Sequence, residues 1–397
     1  MASTHLENHT ESQSATADEL HIERFKFTGK GSEYFGIWIV NILLTIVTLG
    51  IYSARAKVRN KQYFYGNTYL DDSSFQYTAQ PMQILRGRII AVILLVIYYF
   101  AEAFLPLLNI ILILGLFIAT PWIIMKSMAF NAHHSQYRSI RFQFHQNLFE
   151  SAKTFILLPI AAFLPGIICL VLVTPQLNEA AATQTFNIGM LLPIVGLLLF
   201  YLAYPFIIYI SNRYVVCNHA YGGQDFRFKI KSPKPYFMIY LQVLGLGFGI
   251  TFLLGVVFAI LLPSFDFQNL ILEDGSGLIF LGFLYLIMAF FYSYLYAFVK
   301  AKTYNLVYQN TVIGRHKLRA KIKTLDLTML YVTNTLGVAF TLGLFIPWAK
   351  VRTARFYAQN TALQTEGDLS DFVSTQSTYQ NAVGEEIGEI FDIDVGI

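Results

Sequence analysis

The sequence predicts an all-α polytopic membrane protein. It has three transmembrane hairpins, one shorter apolar segment before them and another after them, and short β-strands on the cytoplasmic side. Three observations carry this expectation. Only 13% of the 397 residues are charged and 55% are hydrophobic, with a mean hydropathy of +0.51, whereas a soluble domain carries about 25% charged residues. No Lys or Arg occurs in residues 89–125, 154–212 or 235–299, and each stretch is long enough for two spans of roughly 20 residues and a turn. The basic residues collect between these stretches, which is the positive-inside pattern of a bacterial inner membrane.

The first 23 residues are rich in Ser, Thr, His and Glu and lack a basic start leading into an apolar core. They read as a disordered tail and not as a cleaved signal peptide. Residues 24–355 form the membrane domain, and 356–397 an acidic C-terminal tail. Spans are expected at 84–104, 107–128, 153–173, 188–210, 235–262 and 278–299. Their outer turns hold Pro106, Pro175 with Glu179, and Asp266 with Glu273 and Asp274. The inner connections carry Arg138 and Arg141, then Arg213, Arg227, Lys229, Lys231 and Lys234, then Arg315, Lys317, Arg319, Lys321 and Lys323. Cys169 and Cys217 offer no disulfide framework.

Two shorter apolar segments, 35–52 and 328–348, admit two readings. If both cross fully, the chain has eight spans and both termini lie in the periplasm, which strands Lys350, Arg352 and Arg355 on the outer side. If both enter from the cytoplasm and turn back, the chain has six spans. Gly36, Asn41, Gly50, Asn334, Gly337 and Gly343 suit the broken helices of the second reading.

An internal repeat favours equivalence of these two segments. Asn41-Ile-Leu-Leu-Thr-Ile-Val-Thr-Leu-Gly50 matches Asn334-Thr-Leu-Gly-Val-Ala-Phe-Thr-Leu-Gly343, and each continues into Ala-Lys-Val-Arg, ending at Arg59 and Arg352. The spacing between matched residues stays constant through Asn67 and Asn360, as expected of copied units. A weaker pattern joins five units. An aromatic-x-aromatic triplet precedes each of the first four blocks, at Phe25-Lys-Phe27, Phe75-Gln-Tyr77, Phe142-Gln-Phe144 and Phe226-Arg-Phe228, with Ala320-Lys-Ile322 in fifth place. An aromatic stretch ending at Asn67, Asn131, Asn218, Asn310 or Asn360 follows each block. Alternating triplets read as short strands, forming a small β-layer or an interfacial aromatic belt.

These residues resemble the YjgN-like family of bacterial inner-membrane proteins. The resemblance rests on Phe-Thr-Gly-Lys-Gly-Ser-Glu-Tyr-Phe-Gly-Ile-Trp (27–38), Thr48-Leu-Gly-Ile-Tyr52, Ala56-Lys-Val-Arg59, Tyr65-Gly-Asn-Thr68 and Arg86-Gly-Arg88. It continues through Pro347-Trp-Ala-Lys-Val-Arg-Thr-Ala-Arg355 and the tail from Gly384 to Asp394. Ser53-Ala-Arg55 departs from it, standing where the second copy has Pro-Trp. The resemblance implies an inner-membrane location and no activity, since the family has none assigned.

Candidate site residues are few. Glu102 is the only acidic residue of the first hairpin block, and with Asn41 and Asn334 it is a candidate for a substrate or ion pathway; an end-of-helix position within reach of water is the plainer account. Arg55, Lys57, Arg59, Arg86 and Arg88, with Lys350, Arg352 and Arg355, either set topology or bind anionic phospholipid headgroups. Pro121, Pro159, Pro165, Pro193 and Pro205 are kink points or transporter-type helix breaks. Gly245, Gly247 and Gly249 point to close helix packing and not to a dinucleotide loop. His133, His134 and His145 lack partners at metal-ligand spacing, and no catalytic motif, metal set or cofactor motif is evident. Basic residues at a bilayer edge argue against nucleic acid. In the acidic tail, Val383, Ile387, Ile390 and Phe391 have amphipathic-helix spacing, so the tail is a candidate plug or a docking strip for a soluble cytoplasmic partner.

Three functions follow in order of preference: a transporter or channel for a small or lipid-like solute, a phospholipid-handling protein, and a non-transporting scaffold that recruits a partner through its cytoplasmic face and tail.

Overall fold

The computed structural model describes residues 20–183, 188–261 and 276–387. Its helices follow the Lys- and Arg-free stretches. They are α1 (Gly31–Val47) and α2 (Ser53–Gly66), then α3 (Pro81–Phe104) and α4 (Pro106–His133). Next come α5 (Leu148–Ala152), a π-helical turn (Lys153–Leu157), α6 (Leu158–Thr183), α7 (Leu192–Cys217), α8 (Lys234–Leu261) and α9 (Ser276–Gln309). The last three are α10 (Thr324–Phe340), α11 (Ile346–Gln359) and α12 (Leu369–Ile387). Among the described residues, six helical segments are long and apolar enough to cross a bilayer. The shortest has 24 residues, a rise of about 36 Å against a hydrocarbon core of roughly 30 Å. The expected outer-turn residues Asp266, Glu273 and Asp274 lie outside the described residues, as does the side chain of Glu179.

Local chemistry sets the helix boundaries. Pro81 and Pro106 begin their helices at positions where no backbone N–H is needed. Gln80 and Gln83 form a reciprocal capping box at the start of α3. The helices run on through Pro121, Pro165 and Pro205, so these are kink positions and not chain breaks. The expected close packing at Gly245, Gly247 and Gly249 is absent, since a Cβ at each would meet open space. Two other glycines mark the tight crossing: a Cβ on Gly196 of α7 would lie 2.8 Å from the Gly166 Cα of α6.

The short apolar segments both turn back. In each, a threonine hydroxyl closes the last turn: Thr48 Oγ1 donates to Leu44 O at 2.7 Å and accepts from Tyr52 N at 2.9 Å. Thr341 Oγ1 repeats this with Gly337 O and Phe345 N. Leu49 and Leu342 take φ of 48°, and Gly50 and Gly343 take 93° and 94°, a backbone that only glycine adopts without strain. The returning helices α2 and α11 are polar and basic. At 17 residues each, α1 and α10 rise about 25 Å, less than any of the six longer helices.

The strands depart most from an all-α reading. They are β1 (Leu20–Arg24), β2 (Lys26–Phe27), β3 (Thr68–Leu70), β4 (Ser73–Tyr77), β5 (Ser135–Tyr137) and β6 (Ile140–Phe144). β7 (His219–Tyr221), β8 (Gln224–Phe228), β9 (Thr311–Ile313), β10 (His316–Ala320) and β11 (Thr361–Glu366) complete the set. All eleven belong to one antiparallel sheet in the order β1-β11-β10-β9-β8-β7-β6-β5-β4-β3-β2. The two ends of that order, β1 and β2, are joined through Phe25, whose N–H donates to Thr361 O at 3.2 Å. The sheet order therefore begins and ends on one continuous stretch of chain, residues 20–27, and in this sense the sheet is closed. Around it the order strand–helix–helix–strand occurs five times.

Three boundaries expected from composition are corrected by this sheet. Leu20–Glu23, assigned to the N-terminal tail, pairs with β11 together with Arg24, because Leu20 and Ile22 alternate with His21 and Glu23 in a strand too short to register as apolar. Residues 356–387, assigned to the acidic tail, complete α11 and form β11 and α12. The fifth triplet is Leu318-Arg-Ala320, two residues earlier than expected. Its register is fixed by a bond found in every unit: the N–H just after the triplet (Thr28, Thr78, His145, Lys229, Lys321) donates to the carbonyl just before the return strand (Asn67, His134, Asn218, Asn310, Asn360), at 2.8–3.0 Å. The second unit's residue at that place is therefore His134. Asn131 lies three residues earlier, inside α4.

Candidate functional site

Two regions concentrate chemistry: the interior of the closed sheet and a basic cleft beside it. Period-2 alternation sends the first residue of each triplet inward. Phe25, Phe75, Phe142, Phe226 and Leu318 pack against Leu70, Tyr137, Tyr221, Ile313 and Leu363 from the return strands. The rings are in contact around the wall, with centroids 4.8 Å apart for Phe75–Tyr137, 5.0 Å for Phe142–Tyr221 and 6.0 Å for Phe25–Phe75. They line a predominantly apolar, partly open cavity of about 420 Å³. The hydroxyls at its wall are bonded within the protein. Tyr137 donates to Leu70 O at 2.8 Å, Tyr221 donates to Tyr137 O at 2.9 Å, and Tyr304 lies 2.9 Å from Thr361 Oγ1. Burial pushes the Tyr137 hydroxyl up to about 12 and holds that of Tyr221 above its ordinary value. Both remain neutral donors.

The sequence identified the triplets but assigned them to a belt or β-layer. The return-strand residues that complete the ring lacked a shared type, so only the register reveals the enclosure. α12 closes one mouth of the sheet. The contact is apolar, made by Leu369, Phe372 and Val373, and Gln376 Oε1 accepts from Gly223 N at 2.9 Å. Of the acidic strip expected to dock, Asp371 is exposed, and the side chains of Glu385 and Glu386 and residues Glu389, Asp392 and Asp394 lie outside what is described. The side chains of Val383 and Ile387, and residues Ile390 and Phe391, lie outside what is described.

The basic cleft lies where α2 meets the start of α3. Arg55 and Arg59 line a space of about 530 Å³ with Tyr52, Gln62, Thr78, Gln80 and Pro81. The Arg59 guanidinium donates to Tyr52 Oη at 3.1 Å, and Arg88 bonds Ser53. Lys57 is held below its ordinary pKa by desolvation and then by Arg88. Lys61 is brought down to about 8 by desolvation and then by Lys57; its ammonium bonds Asn131 and sits 4.6 Å from the Tyr77 ring centroid. Four expected basic residues thus gather along α2 and α3, while Arg86 is exposed beside them. The other three lie on α11. Lys350 is exposed, Arg352 donates to Thr333 Oγ1 at 3.0 Å, and Arg355 donates to Gly29 O at 2.9 Å. A further cleft of about 710 Å³ beside β10 and β11 carries Arg24, Arg319, Lys321 and Lys323 against Asp326.

The three pathway candidates do not come together in one place. Asn41 is buried and donates to Asn60 Oδ1 at 3.0 Å, tying α1 to α2. Asn334 is buried and donates to Ala349 O and Thr353 Oγ1, tying α10 to α11. Glu102 is exposed two residues from the outer end of α3. His145 pairs with Asp225 at 2.7 Å and His134 packs on Phe130.

Comparison with known proteins places this architecture. The family model described as bacterial protein of unknown function (DUF898) matches residues 22–390, the whole of the closed sheet but its first two residues, together with every hairpin. The chain belongs to this family. It is 27% identical over 383 residues to inner membrane protein YjgN of Salmonella typhimurium, covering 91% of this chain and 93% of that one. It is 27% identical over 222 residues to inner membrane protein YjgN of Escherichia coli O157:H7, covering 54% of each. No solved structure matches. As the YjgN-like resemblance and the six apolar helices indicate, this DUF898 chain is a multi-pass inner-membrane protein.

Proposed function

We propose that the protein handles phospholipid at the cytoplasmic face of the inner membrane and holds an anionic headgroup in the cleft between α2 and α3. The supporting observation is the placement of Arg55 and Arg59 on a polar cleft beside a hairpin whose tip is apolar and bare. Leu49 is 94% exposed and Leu342 at the matching tip is 95% exposed. Such tips belong in hydrocarbon. With the tips in one leaflet, the basic helices α2 and α11 lie at headgroup depth, where each Lys or Arg contributes about 1 kcal/mol of attraction to an anionic surface. The two short segments are then re-entrant copies of one unit, and the sheet and its turns face the cytoplasm by the positive-inside rule.

Transport through the helices draws less support, because Asn41, Asn334 and Glu102 do not come together in one place, although the buried Oδ1 atoms of both asparagines have no hydrogen-bond partner. The test is lipid retention, read by native mass spectrometry of the full chain from nanodiscs containing both anionic and zwitterionic phospholipid. Arg55→Gln with Arg59→Gln is expected to weaken anionic-lipid retention by roughly 2 kcal/mol, about thirty-fold. Lys350→Gln, on α11 and outside the cleft, is expected to cost only its share of the surface attraction, about 1 kcal/mol, and so to weaken retention less than the double variant. Equal retention by wild type and the double variant would refute the headgroup site.

A further inference from the structure

We propose that the space inside the closed sheet is a binding site for a single acyl chain. The proposal goes beyond the headgroup cleft and rests on that reading only in taking its ligand from lipid.

The argument begins with packing. Protein interiors are close-packed, with few voids larger than a water molecule. Apolar cavities of about 150 Å³ stay dry and admit benzene. Here a partly open cavity has a volume of about 420 Å³, and residues of all five units build its wall. Water has little to bond there. The Tyr137 and Tyr221 hydroxyls donate to strand carbonyls, Tyr304 shares a bond with Thr361, and Thr361 Oγ1 also reaches Tyr357 O at 2.7 Å. Polar ligands would find the same lack of partners, so the cavity selects a hydrocarbon.

Its two ends indicate which hydrocarbon. At one end Leu369, Phe372 and Val373 of α12 close the mouth. At the other, the wall passes from strands to helices: Tyr304 and Tyr308 belong to the last turns of α9, a membrane-spanning helix, and Ala354 and Ala358 lie one turn apart on α11. Ala354 and Ala358 pack beside Phe27 and Tyr34 of the first unit, and the Tyr304 ring lies 4.9 Å from that of Tyr357, so this end of the cavity is built from helices that continue toward the spans. A chain leaving the bilayer alongside α9 would reach the aromatic ring without crossing water. Leu318 stands where the other four units place Phe, which widens the ring on the side nearest α9, since β10 follows α9 through β9.

Photolabelling of the full chain in nanodiscs tests this. The probes are palmitic acid bearing a diazirine and phosphatidylglycerol carrying the same chain. Label is expected on peptides covering residues 140–144, 224–228, 311–320 and 361–373, and excess unlabelled palmitate should compete it away. Labelling by both probes identifies a site that admits a lipid's chain; labelling by the fatty acid alone identifies a site for the free acid, and either supports the proposal. Ile313→Phe and Leu318→Phe fill the cavity and are expected to remove most of the strand label. Leu318→Phe installs the residue found in the other four strands, so it decides the matter if Ile313→Phe does not fold. Label confined to the spans, or strand label unchanged in Leu318→Phe, would overturn the site. Arg55→Gln with Arg59→Gln should leave strand labelling intact, and this separates the chain site from the headgroup cleft.

Discussion

His134 holds the place before the return strand that Asn67, Asn218, Asn310 and Asn360 hold in the other units. The four asparagines each donate from Nδ2 to the carbonyl four residues back, at 2.7–2.8 Å, which satisfies an end-of-helix acceptor. Removing one such bond, as in Asn360→Ala, is expected to cost about 1 kcal/mol, read as a lower apparent Tm in detergent. The imidazole instead is buried against Phe130 and Tyr77. Desolvation first, then the charges of His133, Arg141 and Lys61, bring its pKa down to about 4 from 6.5. Because the folded value is the lower one, the unfolded chain takes up the proton first as pH falls. The contribution is intact above about pH 6.5 and is lost between there and pH 4, up to roughly 3 kcal/mol. His134→Asn should therefore flatten the decline of apparent Tm between pH 7 and pH 5 relative to wild type. Identical slopes would contradict this account of the imidazole.

At the scale of elements, the short hairpins were the most legible part of the sequence. Thr-Leu-Gly recurs because its three residues play distinct parts. The hydroxyl closes the turn, the leucine stands exposed at the tip, and the glycine supplies a φ near 94°. Gly343→Ala is expected to cost about 1–3 kcal/mol, measured against Gly36→Ala in helix α1, where a Cβ meets open space. A solvatochromic dye on Leu342→Cys should report a hydrocarbon environment in nanodiscs, and a water-like spectrum would remove the tip from the membrane. Helix contacts were less legible. Gly245, Gly247 and Gly249 follow the small-residue pattern yet face open space, because that pattern does not say which face of a helix meets a neighbour. Gly166 and Gly196, single glycines on separate helices, make the crossing. Gly196→Val should splay α6 from α7 and lower apparent Tm by more than the same change at Gly247.

For the whole molecule, apolar length and basic spacing were sufficient to locate the six described helices that are long and apolar enough to cross a membrane. The closed sheet was not foreseen, because its strands are three to six residues long apart from the two-residue β2, and pairing across separate units leaves no local trace. The aromatic triplets carried half of the signal. The other half lay in the two-residue turns at Asp71-Asp72 and Arg138-Ser139, where φ is positive at every residue, and in the turns that begin at Gly222 and Gly314. These turns place all four strand hairpins at the end of the sheet away from the long apolar helices. The central claim is that this end faces the cytoplasm as one unit, and thiol labelling of its turns tests that most directly. With Cys169 and Cys217 changed to Ser, single cysteines at Asp72, Ser139, Gln224 and Arg315 should react with a membrane-impermeant maleimide in inverted inner-membrane vesicles and not in intact spheroplasts. Reaction of any one of the four in spheroplasts would contradict it.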